Sequence, residues 1–279
     1  MKIGMNLLLW LLHMEESHAS LMKQLKEIGY DGVEIPLNMG DAAHYKKIRE
    51  ILNSEGLECT TVTNLSPEKC IISPDEASRK AGLDHLKWAV DMSVELGSPL
   101  ICGPFYAAHK HFVGRGPIEE EYKRCAEQLQ VACEYAATAG IKFSMEFLNR
   151  FEIYLLNTVE QCLHLIDLVD HPNLGIHYDT HHANIEESDS KAAIRLGGKK
   201  ITHVHFSENH RGTLGAGQID FKGQYEVIQS LGYDDWVTVE IFGTKMQAFV
   251  DAANVHRQVF DNELQAATDS FKLLKSFIK

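Results

Sequence analysis

Residues 175–187 read GIHYDTHHANIEE. The run opens as an apolar strand and ends in a dense set of groups that bind protons and metals: His177, Asp179, His181, His182, Glu186 and Glu187. Taken alone it reads as a strand followed by a solvated loop, the ordinary place for such residues. A buried strand that ends in Asp beside two His is costly unless its charges are paired or a cation sits among them. The rest of the chain decides between the two readings.

On both sides, short β-rich runs alternate with longer amphipathic segments. Strands are expected at residues 2–9, 32–37, 57–64, 99–105, 141–148, 174–180, 201–206 and 236–242. Helical spacing falls at 17–28, 44–54, 118–139, 157–169, 189–196 and 221–230, and in a tail that starts near 249. A further helix starts at Ser73-Pro74-Asp75-Glu76 and runs to Leu96, with Pro in its first turn. Glycines such as Gly29 and Gly97 close the helices. Eight β-then-α units without a linker predict a parallel sheet. At 279 residues they predict one closed (β/α)8 barrel, residues 1–279 forming a single catalytic domain. A doubly wound open sheet would place a Gly-rich phosphate turn after its first strand, and none follows residues 2–9.

A net charge of −12 argues against nucleic acid, whose binding depends on Lys and Arg neutralising phosphates. It also argues against anionic membrane surfaces. The apolar run in MKIGMNLLLWLLHMEES is too short to span a bilayer, lacks a small-residue cleavage site, and reads as the first core strand. None of Cys59, Cys70, Cys102, Cys125, Cys133 and Cys162 forms a CxxC pair. Reduced core thiols in a cytoplasmic protein are the expectation.

In such a barrel, active-site residues sit at the carboxyl ends of strands. Four successive strand ends carry metal-ligand types: Glu146 in SMEFLNRFE, Asp179, His205 in HVHFSEN, and Glu240 in VTVEIF. Singly, each is a rim carboxylate or a core histidine. Spaced one βα unit apart and set at the same height, they predict one ring around a divalent metal. Three carboxylates and one imidazole suit Mn²⁺, Co²⁺ or Mg²⁺ better than a thiolate-rich zinc site. His177 and His203 lie two residues before ring members, one layer deeper on the same face. They are either orienting partners of the ligands or ordinary core histidines.

NRFE after the strand-five Glu, DTHHANIEE, HVHFSENHRG with GAGQIDF, and GYDGVEI at Gly29–Ile35 together resemble the xylose-isomerase-like sugar isomerases and epimerases. Within that group the pattern is most similar to the ketose 3-epimerases of the D-tagatose, D-psicose (D-allulose) and L-ribulose type. The resemblance spans nearly the whole chain. It implies a (β/α)8 TIM barrel with one divalent metal, Mn²⁺ first, on Glu146, Asp179, His205 and Glu240. It implies substrate contacts at Glu152, His182 and Arg211, an unphosphorylated ketose as substrate, and a homodimer or homotetramer.

A proton beside a ketone becomes acidic only if the enolate charge is stabilised, as a metal holding two substrate oxygens would do. Inversion at C3 then needs a base on one face and an acid on the other. Glu146 and Glu240 come from strands separated by two others, so they are placed to flank a sugar lying across the ring. His182 and Arg211 would hold the oxygens near C1–C3, with Glu152 orienting this end.

The chain departs from these relatives in several places. His181 and Ala183 stand where Phe and Met are common, and Asn6 where an aromatic residue often lines the pocket. The loop 106–116 adds His109 and His111. These changes imply a more polar distal pocket and leave two lyase readings open on the same fold. One is an inosose-type dehydratase. The other is the catalytic subunit of a 3-oxo-glycoside deglycosidase, which would need a second, different subunit. The endonuclease IV type shares the barrel, but the net charge of −12 and the absence of a basic patch argue against it. The Gly-rich loop Gly212–Gly217 could imitate a phosphate site, with Lys245 the nearby base besides Arg211.

Overall fold

The structure, a computed structural model, describes residues 1–278. Eight parallel strands close into one barrel in chain order. They are β1 (Lys2–Asn6), β2 (Gly32–Pro36), β3 (Glu58–Val62), β4 (Leu100–Gly103), β5 (Lys142–Glu146), β6 (Leu174–Asp179), β7 (Ile201–Phe206) and β8 (Trp236–Val239). Between them run α1 (Ala19–Ile28), α2 (Ala42–Glu55), α3 (Glu76–Leu96), α4 (Glu119–Thr138), α5 (Val159–Val169), α6 (Thr180–Glu186), α7 (Ser190–Gly197) and α8 (Phe221–Ser230). After β8 come α9 (Gln247–Ala252) and α10 (Glu263–Lys275). No described helix is long and apolar enough to cross a membrane.

Local chemistry sets the helix ends. Asp41, Asp75, Thr158, Asp189 and Asp220 each accept a backbone N–H of the first turn that follows them, and each such cap contributes about 1 kcal/mol. Pro74 therefore lies outside α3, just ahead of its Asp75 cap. α1, α2 and α3 stop at Gly29, Gly56 and Gly97, whose φ of 118°, 66° and 78° a side chain would resist.

The largest apolar cluster packs the outward strand residues, such as Ile3, Met5, Val33 and Ile35, against the helices. The inward positions are mostly small or polar, apart from Trp236 and a small apolar cluster of Val62 and Leu100 beside Cys102. Gly4 and Gly32 leave room for Trp236, whose ring would stand 3.3 Å from a Cβ on the first and 2.6 Å from one on the second. Above them lie Asn6, Glu34, Thr60, Ser144, His177, His203 and Thr238, all nearly or fully inaccessible. All six cysteines are buried and unpaired.

Three local differences from the sequence reading matter for the site. β1 ends at Asn6 rather than Leu9, because the Asn6 carboxamide accepts the Leu8 N–H (2.8 Å) and starts a single 3-10 turn over Leu7–Leu9. α6 follows β6 directly, because Asp179 Oδ1 accepts the N–H groups of His181 (2.6 Å) and His182 (3.3 Å). By sequence, Glu186 and Glu187 would begin or cap the helix expected at 189–196; they end α6 instead. Glu186 pairs with the Arg150 guanidinium at 2.9 Å, and Glu187 caps a different helix by accepting the Val159 N–H at the start of α5 (2.8 Å).

Candidate active site

The site is built in two storeys inside the barrel mouth. The lower is organised by Glu34, fully buried on β2. Its Oε1 accepts from His205 Nε2 (2.6 Å) and Asn6 Nδ2 (3.0 Å). Its Oε2 accepts from His203 Nε2 (2.7 Å), Thr60 Oγ1 (2.9 Å) and Cys102 Sγ (3.1 Å). Burial alone would raise its pKa, but the two histidines hold it well below the carboxylate range. A charge at this depth survives because every lone pair is used. Asn6 also donates to Glu240 Oε1 (3.1 Å). It thus ties the two storeys together and does not line the cavity at the barrel mouth, contrary to the sequence reading.

The upper storey is the ring. Donor atoms of Glu146, Asp179, His205 and Glu240 all lie within 4.8 Å of one another. They do not sit at one height in the ladder. Glu146 is in register with His177, Asp179 with His205, and His205 with Thr238. Strand tilt and stagger bring side chains from different rungs to a common level, so the expectation of equal height was too simple while the ring itself forms.

The residues fit a cation. Glu34 only accepts, so Nε2 of His205 carries a proton, and in the neutral ring that a cation would meet Nδ1 is the lone pair. That Nδ1 is buried without a hydrogen-bond partner, 3.3 Å from Glu240 Oε1 and 3.8 Å from Asp179 Oδ2. The Glu146 carboxylate accepts no hydrogen bond among the described residues. His177 Nδ1 and His182 Nε2 stand 3.7 Å from it. Burial and the neighbouring Glu240 push its pKa well above the usual range. Burial also raises Asp179, to about 7, with Glu240 adding to the rise and Arg211 opposing it. For Glu240, burial is outweighed by His205 and Arg211, which bring it down to about 2. His205 is drawn up towards an imidazolium by Glu34 and Glu240 despite its burial. A cluster that must borrow protons to sit together is short of positive charge.

Arg211 supplies part of that charge. Its Nη1 donates to Glu240 Oε2 (2.6 Å), Ser207 Oγ (2.8 Å) and Asp179 Oδ2 (3.3 Å). Its backbone takes a φ of 63°, a strained value for a residue with a side chain and characteristic of functional positions. The guanidinium lies over the Phe242 ring, 4.9 Å from the centroid. Its Nη2 faces His182 Nε2 (3.0 Å), while His182 Nδ1 accepts the Asn149 N–H (3.0 Å). A neutral imidazole accepts at one nitrogen only, so one of these contacts is frustrated, and Arg211 Nε is buried without a partner.

A cavity of about 240 Å³ opens above the ring, with Glu146, Glu152, His182, Arg211 and Glu240 on its wall. Asp179 and His205 are inaccessible behind it. Glu152 is held ionised despite burial by His109 (3.5 Å), Arg211 and the Asn149 amide (2.8 Å). Leu8, Val62, Phe242 and Phe249 give the cavity apolar sides. His109 lines it and His111 does not. Of the deeper histidines, His203 binds Glu34. His177 makes no hydrogen bond and packs edge-on to His205, ring centroids 3.9 Å apart.

Residues that the sequence reading passed over include Glu34, Asn149, Ser207 and Glu208. The last is fully buried. Its carboxylate accepts the N–H groups of Asn209 (3.0 Å), Gly215 (3.0 Å), Gln218 (3.0 Å) and Ile219 (3.1 Å). The Gly-rich loop therefore does form an anion cradle, but the protein's own carboxylate fills it. Lys245, the other candidate for a phosphate, is exposed and paired with Glu263 (2.8 Å).

Residues 22–276 match the family model of the xylose isomerase-like TIM barrel. The chain belongs to that family. Among family members, it is 35% identical over 249 residues to a ketose 3-epimerase of Arthrobacter globiformis, covering 89% of this chain and 86% of that protein. It is 31% identical over 250 residues to an L-ribulose 3-epimerase of Mesorhizobium japonicum, covering 88% and 82%. The crystal structure of a D-allulose 3-epimerase from a Methylomonas species, in complex with D-allulose, superposes with a TM-score of 0.92 at 26% identity. The match covers 99% of this chain and 97% of that one. These family members are epimerases, enzymes of the isomerase class.

Proposed function

We propose that this barrel is a ketose 3-epimerase acting on free sugars, with one divalent cation, Mn²⁺ first, held by Glu146, Asp179, His205 and Glu240. The observation that carries the reading is the unequal pair on the cavity wall. Glu146 and Glu240 face one space, and their surroundings drive their proton affinities in opposite directions. Two carboxyl groups held apart in this way are an acid and a base.

The bound cation would act as a Lewis acid, polarising the ketone and stabilising the enediolate left when the C3 proton departs. One of the two glutamates removes that proton and the other delivers one from the opposite face, which inverts C3. His182 and Arg211 hold the oxygens at the C1–C3 end, and the ionised Glu152 accepts from a hydroxyl there. The apolar sides of the cavity keep water away from the carbanion. A free rather than phosphorylated sugar is supported by the filled Glu208 cradle and by the pairing of Lys245.

The test is incubation of a panel of ketoses with the Mn²⁺-loaded protein in D₂O. The expected product is the C3 epimer, of the same constitution, with deuterium at C3. Loss of water, or of an aglycone from 3-oxo-glycosides added to the panel, would replace the epimerase reading by a lyase one, and a failure to exchange C3–H on any ketose would sink the epimerase reading.

A further inference from the structure

A second cavity of about 240 Å³ lies on the far side of Glu152 and Arg211, and it shares only those two residues and Ala253 with the first. The proposed reaction leaves it without a role. Its lining is distinctive. Phe151 stands at its edge 60% exposed, a flat apolar ring open to solvent between two residues that face inward, Asn149 and Glu152. His181 lines it while only 7% exposed. The Glu208 carbonyl faces His181 Nδ1 at 3.1 Å. A carbonyl only accepts, so Nδ1 carries the proton and Nε2 is a lone pair with no partner among the described residues. Asn209 and Asn254 are on the same wall. Their carboxamide oxygens are engaged by the Gln218 N–H (3.2 Å) and by Lys110 Nζ (2.7 Å), so their N–H groups remain to donate.

An aromatic face, one fixed acceptor and two amide donors match the surface of a pyranose ring, which offers C–H groups on one face and hydroxyls at its edge. The charges do not favour an anion. Glu152 brings a carboxylate to the cavity, and the Arg211 guanidinium is spent on Asp179 and Glu240. Arg257 is an exposed cation on the remaining side.

Position gives the direction of attachment. In the proposed function, which this inference deepens, Glu152, His182 and Arg211 hold the C1 end of the ketose. The next space beyond Glu152 and Arg211 belongs to whatever is bonded to the C1 oxygen. We propose that the second cavity is a subsite for a sugar ring carried on O1, and that the enzyme epimerises 1-O-glycosyl ketoses as well as free ones. His181 and Phe151 are then residues that determine specificity.

The test compares 1-O-α-glucosyl-fructose, its 6-O-linked isomer and free fructose as substrates of the Mn²⁺-loaded enzyme, with C3–H exchange and product identity as readouts. The expected result is turnover of the 1-O compound with kcat/KM at least equal to that of the free ketose, and a drop of at least tenfold for the 6-O isomer. Phe151→Ala, on an exposed side chain, should raise KM for the 1-O compound roughly three- to tenfold and change the free ketose less than twofold. His181→Phe should act in the same selective way. Exclusion of the 1-O compound while free fructose is epimerised, or equal effects of Phe151→Ala on both, would overturn the subsite and leave the epimerase reading standing. Should no ketose exchange its C3 proton, the epimerase reading falls. Saturation-transfer NMR of the 1-O compound with wild type and Phe151→Ala then decides the subsite alone: selective loss in the variant upholds it, and no binding to wild type ends it.

Discussion

Two carboxylates that share His205 as a neighbour inside one barrel are treated in opposite ways. Glu34, in the lower storey, accepts from five donors and keeps its charge. Glu146, in the upper storey, accepts from none of the described residues and is pushed towards neutrality. Both are buried and both face histidines. Burial therefore does not distinguish them. What distinguishes them is whether the protein itself has supplied the counter-charges. A finished network serves the fold, and an unfinished one is completed by something that arrives.

The comparison breaks first at the ring. Glu146→Gln and Glu240→Gln should each lower kcat by a factor of about 10² to 10⁴; the first should leave the thermal midpoint unchanged or raised, since it removes a poorly compensated charge, and the second should lower it, since it takes the partner of Arg211 away. Steady-state epimerisation and a melt on the same samples check this. Near-normal turnover in either variant would refute the pair of carboxylates.

The lower storey should answer in reverse. Glu34→Ala strands the donors of His203, His205, Asn6 and Thr60 and should cost about 3–5 kcal/mol of stability, read by urea unfolding. In the gentler Glu34→Gln, divalent-metal affinity should fall about 10- to 100-fold, measured by isothermal titration. An unchanged affinity would separate the two storeys that the shared His205 joins.

Metal should stabilise through the ring alone. At a hundredfold excess over Kd, a bound cation adds about 2.7 kcal/mol, seen as a rise in the Mn²⁺-dependent melting temperature that Glu146→Gln abolishes. The smallest effect is on pH. Burial lifts the Asp179 carboxyl to about 7 in the fold, from an ordinary value of 3.8. The metal-free fold therefore binds more protons than the unfolded chain between those values, and its stability falls as pH rises through that window. The cation displaces that proton, so metal affinity should increase from pH 6 to pH 8. A flat or inverted profile would place the titration elsewhere.

The ring was legible because strand period and unit length are local facts. Glu146, Asp179, His205 and Glu240 each lie within one residue of a strand end, and counting units is enough to align them. The stagger was not legible, because it belongs to closure of the whole sheet. Glu34 was hidden in plain view within GYDGVEI. A single acid in an apolar strand carries no partner in its own neighbourhood, and its five donors come from four other strands. The signal that was available is Asn6, a second polar residue in the adjacent apolar run, in register with Glu34. α6 was missed because seven residues rich in His and Asn lack an apolar stripe, and only the Asp179 cap announces it. His181 stood out by its departure from the common pattern, and its placement beside Phe151 depends on loops whose folding no periodicity predicts.

The Glu208 plug has a consequence for redesign. A loop that wraps four backbone N–H groups around an internal carboxylate is an anion receptor shipped with its own occupant. Shortening that one side chain would hand the receptor to solvent ions. For an engineer seeking to move this scaffold from neutral to phosphorylated substrates, the route starts by evicting a tenant rather than by adding arginines.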